Sequence, residues 1–299
     1  MLKSYDEIKN KVKSMEKRKV AVAAADEAEV LAAVRQAVDE NIADAILTGD
    51  KKNIEAVAKE HDISLNGFEI IDEPDPLKAA QICCQMIRDG QASTIMKGLI
   101  DTSKYIKAIL DKEHGLNAGK LLSHIVTFEI PSYHKLLSLT DAAINVAPDV
   151  DQKAKIINNS VKYANKLGID KPLIACCCAV EKVNPKSMPA TVDAAILSKM
   201  NDRGQIKDCI VDGPFGLDNA VSKESALIKK IDSPVAGNAD IILANDIESG
   251  NYIYKAMGFL TPAKLGGVVL GGSAPIILTS RADSHETKYL SIVLGVATA

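Results

Sequence analysis

The sequence lacks any strong charge excess, is poor in histidine and has no long apolar run, and each shortage removes a class of function. Its 36 basic and 39 acidic residues leave a net charge of -3, and the basic residues are scattered. There is no stripe of the kind that a nucleic-acid backbone selects, so nucleic acid is not an expected partner. Five histidines, with neither a CxxC nor an HExxH pattern, give zinc chemistry no footing. The opening MLKSYDEIKNKVKSMEKRKV is a charged helical pattern without the apolar core of a signal peptide, which predicts a cytoplasmic protein. Residues 265–280 form the longest weakly charged stretch, but they hold Pro275 and several glycines and fall short of the roughly 20 apolar residues that span a bilayer. No membrane association is expected.

Familiar nucleotide and hydrolase signatures are also missing. The predicted first strand, residues 20–25, runs into Asp26 and Glu27 instead of the glycine turn of GxGxxG, and no GxxxxGK[ST] occurs. A serine hydrolase would need a nucleophile elbow such as GxSxG, and there is none. The six cysteines are Cys83, Cys84, the run Cys176, Cys177 and Cys178, and Cys209. Adjacent cysteines on a strand point to opposite faces, so this clustering predicts small buried thiols in a reducing compartment and not a disulfide framework.

What is present is enough to fold. With 299 residues, 47% of them hydrophobic, the chain can bury a core of one large or two ordinary domains. Apolar runs at 20–25, 43–48, 93–96, 125–128, 142–146, 173–179, 209–212, 241–244 and 268–270 read as strands. Residues 27–41, 51–61, 77–89, 102–112 and 151–167 carry apolar residues at helical spacing. That alternation predicts an α/β fold with a mostly parallel sheet. Pro148 and Asp149 follow a predicted strand and precede a long helix, and the glycine-dense residues 266–272 suit a return crossing. The expected division is therefore 1–147 plus 272–299 as one discontinuous α/β domain, and 148–271 as the other.

Three segments could carry chemistry, the first two of them as anion sites. In TSRADSHETKYL, Asp283 and Glu286 have the spacing of a capping box, which places Thr279, Ser280 and Arg281 in a loop feeding a helix N-terminus. A hydroxyl, a guanidinium and free amides there suit a phosphate, although the spacing alone favours an ordinary capped surface helix with a solvated arginine. In MKGLIDTSKYIKAIL, Lys97 and Gly98 end a strand and Asp101 and Thr102 open a helix; Lys97 reads either as an anion ligand or as a surface charge. In NDIESGNYIYKAMG, Asp246, Glu248 and Asn251 come to a helix start, where carboxylates usually serve the dipole. Ser123 and His124 precede a strand; His124 is either structural or a donor to a ligand oxygen. For His134 a structural role is expected.

These segments resemble the phosphate acetyl/butyryltransferase family. The likeness runs from about residue 20 to the C-terminus, through MKGLIDTS (96–103), LLSHIVTFEIPSYHK (121–135), LTDAAINVAPD (139–149), VNPKSMPATVDAA (183–195), DGPFGLDNAVS (212–222), SPVAGNADI (233–241), DIESGN (246–251) and APIILTSRADS (274–284). The MKG, SH and SRADS variants are closer to the butyryl branch. The resemblance implies two α/β domains with an isocitrate/isopropylmalate dehydrogenase-like sheet arrangement, and a homodimer or higher homo-oligomer. Its reaction joins acyl-CoA and phosphate to give acyl phosphate and CoA, with no metal or other cofactor. The family's serine-arginine pair falls on Ser280 and Arg281, the implied catalytic residues. Substrate contacts are expected at Lys97, Gly98, Thr102, Ser123, His124, Asp246, Glu248 and Asn251. Acetyl-branch enzymes carry an aspartate six positions after that arginine, where this chain has Thr287, leaving Asp283 and Glu286 as acid/base candidates. Two other classes are weighed against this: a metal-dependent hydroxyacid dehydrogenase, whose aspartate cluster and nicotinamide pattern are not found, and a non-catalytic CoA-binding relative.

Overall fold

In the computed structural model, which describes residues 2–117, 119–280 and 282–299, strands and helices alternate from the start. The first run is α1 (Tyr5–Lys13), β1 (Lys19–Ala23), α2 (Ala28–Asp39), β2 (Asp44–Gly49), α3 (Lys51–Glu60), β3 (Glu69–Asp72), α4 (Pro76–Arg88), β4 (Thr94–Lys97) and α5 (Thr102–Ile109). β1 and β4 are buried along almost their whole length, as the apolar runs VAVA and IM require of strands covered on both faces. Aspartates set the helix starts. Asp50 accepts from the amides of Lys52 and Asn53 at the head of α3, and Asp75 does the same for Leu77 and Lys78 ahead of Pro76 in α4.

The chain continues through β5 (Ser123–Glu129), β6 (Leu137–Thr140), α6 (Val150–Leu167), β7 (Leu173–Cys177), α7 (Ala190–Asp202), β8 (Ile210–Phe215), α8 (Leu217–Val221), α9 (Lys223–Ile228), β9 (Ile241–Leu243) and α10 (Ile247–Leu260). It closes with β10 (Lys264–Leu270), β11 (Ile276–Ile277) and α11 (His285–Ala297). Two units result: a terminal unit of residues 5–120 and 265–299, and a middle unit of residues 1–4 and 121–264.

In the terminal unit the strand order is β3-β2-β1-β4-β11-β10; β3 to β11 run parallel and β10 antiparallel to β11. α11 packs against α2 and α1, and every residue from Lys288 to Ala297 is buried. Each apolar side chain so buried contributes about 1.5–3 kcal/mol, which ties the C-terminal segment to the first third of the chain. In the middle unit the order is β5-β6-β9-β7-β8, with β5 antiparallel to β6 and the others parallel. Its core joins Ile156, Ile157 and Val161 of α6 to Ile174, Leu197, Val211 and Ile241.

Several elements depart from the sequence-based expectation. The strand expected at 142–146 lies earlier, at β6, and residues 142–146 carry no strand. The cause is Asp141, whose carboxylate accepts from the amides of Ala143, Ile144 and Asn145 at 2.8, 2.9 and 3.3 Å. Those donors are then lost to any sheet ladder. β3 and the two-residue β11 were not anticipated. The unit boundaries fall at 120/121 and 264/265, against the expected 147/148 and 271/272. The β5–β6 hairpin accounts for the first difference, because β6 pairs with β9 and so carries 123–140 into the middle unit.

Candidate active site

β11 lies parallel beside β4, with Ile276 opposite Ile95 and Ile277 opposite Met96. Parallel neighbours end on the same edge of the sheet, so the loops that follow them adjoin, and this carboxyl edge is where open α/β sheets take ligands. The loop after β4 carries Lys97 to Thr102 and the loop after β11 carries Thr279 and Ser280. Together Lys97, Ile100, Asp101, Thr102, Thr279 and Ser280 line a hollow of about 330 Å³.

The first loop is pinned to the end of β1. The amides of Gly98 and Leu99 donate to the carbonyls of Ala23 and Ala24 at 2.8 and 2.6 Å. A Cβ at position 98 would lie 2.1 Å from the Ala24 oxygen, so only glycine lets the backbones approach this closely. Lys97 is buried, 4% exposed, and its ammonium donates to the Gly98 carbonyl at 3.1 Å. It is thus no free surface charge. Thr102 opens α5, where helix amides lack intrahelical acceptors.

The second loop folds back on itself. The Ser280 amide donates to Asp283 Oδ2 at 2.7 Å, and the Asp283 amide donates to the Ser280 carbonyl at 3.1 Å. The cap of α11 is consequently Ser284, whose hydroxyl oxygen accepts from the Thr287 amide at 3.2 Å. This corrects the capping box expected from Asp283 and Glu286: the Asp283 carboxylate is held by Ser280. Glu286 is exposed in the first turn of α11. Arg281 lies outside the described residues. Beneath the loop sits Lys288, 1% exposed, whose ammonium meets the Asp283 and Ser280 carbonyls at 2.8 and 3.4 Å.

The remaining candidates belong to the middle unit. Ser123 is buried and accepts from Asn159 Nδ2 at 3.0 Å. His124 is buried, its amide donates to Asp141 Oδ2 at 3.1 Å, and its ring faces that of Tyr254 at a centroid distance of 6.2 Å. Asp246 caps α10 in a reciprocal box with Ser249. Asn251 Nδ2 donates to the Ala142 carbonyl at 3.3 Å, and a Cβ at Gly250 would lie 2.3 Å from the Asp141 carbonyl. The DIESGN segment therefore seats the first turn of α10 flat on the loop that Asp141 organises. Glu248 is exposed in that first turn. His134 bonds Asn238 at 3.0 Å, the structural role expected of it.

Burial dominates the titration behaviour. Desolvation lifts the thiols of Cys83, Cys84 and Cys177 to about 12, as expected of small buried side chains, and the six cysteines are all free. Burial also raises the Asp26 carboxyl, with Asp50 and Glu27 adding to the effect. Among the described residues there is no group of three or more histidines, cysteines or carboxylates that could hold a metal ion. Nor is any helix among them long and apolar enough to cross a membrane.

A family model described as phosphate acetyl/butaryl transferase matches residues 4–85 and 73–296. The chain belongs to this family. It is an acyltransferase with close relatives along its whole length. It is 50% identical to a phosphate butyryltransferase of Clostridium acetobutylicum and 47% identical to one of Clostridium beijerinckii, in each case over 100% of this chain and 99% of the relative. A solved branched-chain phosphotransacylase from Enterococcus faecalis V583 is similar in structure, with a TM-score of 0.85 and 32% identity, over 94% of this chain and 98% of that one. The α/β class expected from the sequence is the class found.

Of the residues singled out in the acyltransferase sequence, Lys97, Thr102 and Ser280 line one hollow, Gly98 pins one of its loops, and Asp283 locks the other. Asp101 and Thr279, which the sequence also placed in these loops, line the same hollow, whereas Ile100 and Lys288 were not anticipated. Lys288 had one visible signal: it is the charge that directly precedes the mostly apolar run YLSIVLGVA of α11.

Proposed function

We propose that this chain moves a butyryl group between coenzyme A and inorganic phosphate: butanoyl-CoA + phosphate = butanoyl phosphate + CoA. The observation that carries this reading is the end-to-end likeness to the two clostridial phosphate butyryltransferases. The hollow at the ends of β4 and β11 supports it by joining an ammonium, two threonine hydroxyls and a serine hydroxyl beside the first turn of a helix. That donor set suits phosphate.

In this reading a phosphate oxygen attacks the thioester carbonyl, the carbonyl oxygen takes up negative charge, and collapse expels the CoA thiolate. Lys97 and Arg281 offset the charge of phosphate and oxyanion, and Ser280 donates a hydrogen bond to one of them. The thiolate is a good leaving group, so base catalysis matters most in the reverse direction, where the CoA thiol must lose its proton. Glu286, exposed on the first turn of α11, is then the acid/base candidate, because Asp283 is engaged with Ser280. Ser123, His124, Asp246, Glu248 and Asn251 are proposed as further substrate-binding residues, Asp246 and Asn251 acting through the loop they hold. No metal or other cofactor takes part.

A homo-oligomer in the cytoplasm is part of the proposal. α10 buries only Gly250 and exposes Tyr252, Phe259 and Leu260, an unusual face to leave in water and one that a second copy would cover. Acyl preference is tested by CoA release with phosphate and acyl-CoAs from acetyl to hexanoyl. Two extra methylenes at about 0.8 kcal/mol each predict a kcat/KM for butyryl-CoA roughly tenfold above that for acetyl-CoA. The likeness to a branched-chain phosphotransacylase favours a second reading, and isobutyryl-CoA outperforming butyryl-CoA would select it.

A further inference from the structure

Lys288 has no route to substrate, yet every hydrogen of its ammonium is directed at something. At 1% exposure it meets Glu27 Oε1 at 3.2 Å, the Asp283 carbonyl at 2.8 Å and the Ser280 carbonyl at 3.4 Å. An ammonium has three donors and no acceptor, so these three partners complete it. Glu27 is committed to the same purpose: it occupies the N-cap position of α2 without capping that helix, and its side chain is 14% exposed.

Burying this ion pair is costly, and a well-packed apolar residue commonly serves stability as well or better. From Tyr289 to Ala297 α11 is buried, mainly through apolar residues, so an apolar side chain at 288 would suit the helix. What an apolar residue could not supply here is a grip on the carbonyls of Ser280 and Asp283. The turn's own bonds, Ser280 amide to Asp283 and Asp283 amide to Ser280, close it but do not fix where it sits. Lys288 fixes it to the helix, and Glu27 fixes Lys288 to the start of α2.

We infer that Lys288 is a positioning residue for the proposed acyl transfer, acting through the Ser280–Asp283 turn, an inference that rests on the transferase reading above. Small displacements of a catalytic loop are enough to matter, since misplacement by about 1 Å commonly costs around 10²-fold in rate.

The test uses Lys288→Met, Glu27→Gln and the double variant. Each is measured by thermal unfolding and by phosphate-dependent CoA release from butyryl-CoA. Lys288→Met leaves the half-buried Glu27 without its partner and should lose both Tm and kcat. The double variant removes both charges, so its Tm should return close to that of the wild type while kcat stays down by about 10²-fold. Glu27→Gln keeps both carbonyl bonds and should stay within about threefold of wild-type kcat. A double variant with near-normal kcat would overturn the inference. So would a kcat that merely follows Tm across the three variants, or a double variant that does not fold, since either would mark the pair as structural. Wild-type enzyme run alongside separates this failure from failure of the transferase reading, which would show as no phosphate-dependent release in the wild type itself.

Discussion

Gly98→Ala is the sharpest perturbation of the hollow at the end of β4. The added Cβ would sit 2.1 Å from the Ala24 oxygen and 2.8 Å from both the Ala23 oxygen and the Ala24 carbonyl carbon. All three are backbone atoms at the end of a strand paired on both sides, so no side chain is available to swing away. The loop must lift. It then loses the Gly98 and Leu99 amide bonds to Ala23 and Ala24, about 1 kcal/mol each, or it keeps them under overpacking strain of about 1–3 kcal/mol. A loss of about 1–3 kcal/mol follows, and for a protein of this size it should lower Tm by roughly 2–5 °C. Because Lys97 and Thr102 flank this loop in the hollow, KM for phosphate should rise as well. The control is Gly90→Ala, at φ +72 with nothing within 4 Å of its added Cβ, which carries only a backbone cost of about 1–2 kcal/mol and should leave KM unchanged. Measuring both variants by thermal unfolding and by CoA release at varied phosphate decides the matter. A Gly98→Ala enzyme with the Tm and phosphate KM of the wild type would refute the packing argument.

Arg281→Ala should cost at least about 10²- to 10³-fold in kcat with the fold intact. Arg281→Lys should recover only part of that loss, because a point charge does not replace a two-pronged donor; steady-state kinetics checks both. Ser284→Ala should lower stability by about 1 kcal/mol as loss of the α11 cap, whereas Asp283→Ala should act chiefly on kcat by releasing the Ser280 turn, a contrast read from paired Tm and rate measurements. With thiols near 12, only about one part in 10⁴ of Cys83, Cys84 and Cys177 is thiolate at pH 8, so native protein should react slowly with a disulfide reagent at these positions and denatured protein at once.

How much of this was legible depended on how local each cause is. β1, β2 and β4 announce themselves as apolar runs, and the aspartate-capped α3, α4, α6 and α10 as caps followed by periodic apolar residues. β6 was misplaced because both LSLT and the following AAINV are compatible with a strand, and only the turn made by the Asp141 carboxylate separates them. β11 is two residues long and carries no periodicity, yet its place beside β4 is what brings Lys97 and Ser280 to one hollow. At 283–286 the string DSHE offers a capping box; that Ser284 takes the cap instead follows from the bond that holds Asp283 to Ser280. The carbonyls that Lys288 grips come from a fold-back no window of sequence displays. Ordered family blocks named a reaction that residue spacing alone left open.

In the proposed reaction phosphate, and not water, accepts the acyl group. The direct measurement is CoA release from butyryl-CoA with and without phosphate, with the acyl product trapped as a hydroxamate. Release that depends on phosphate, matched mole for mole by trapped butyryl phosphate, is the predicted result. Release at the same rate without phosphate, yielding free butyrate, would contradict it.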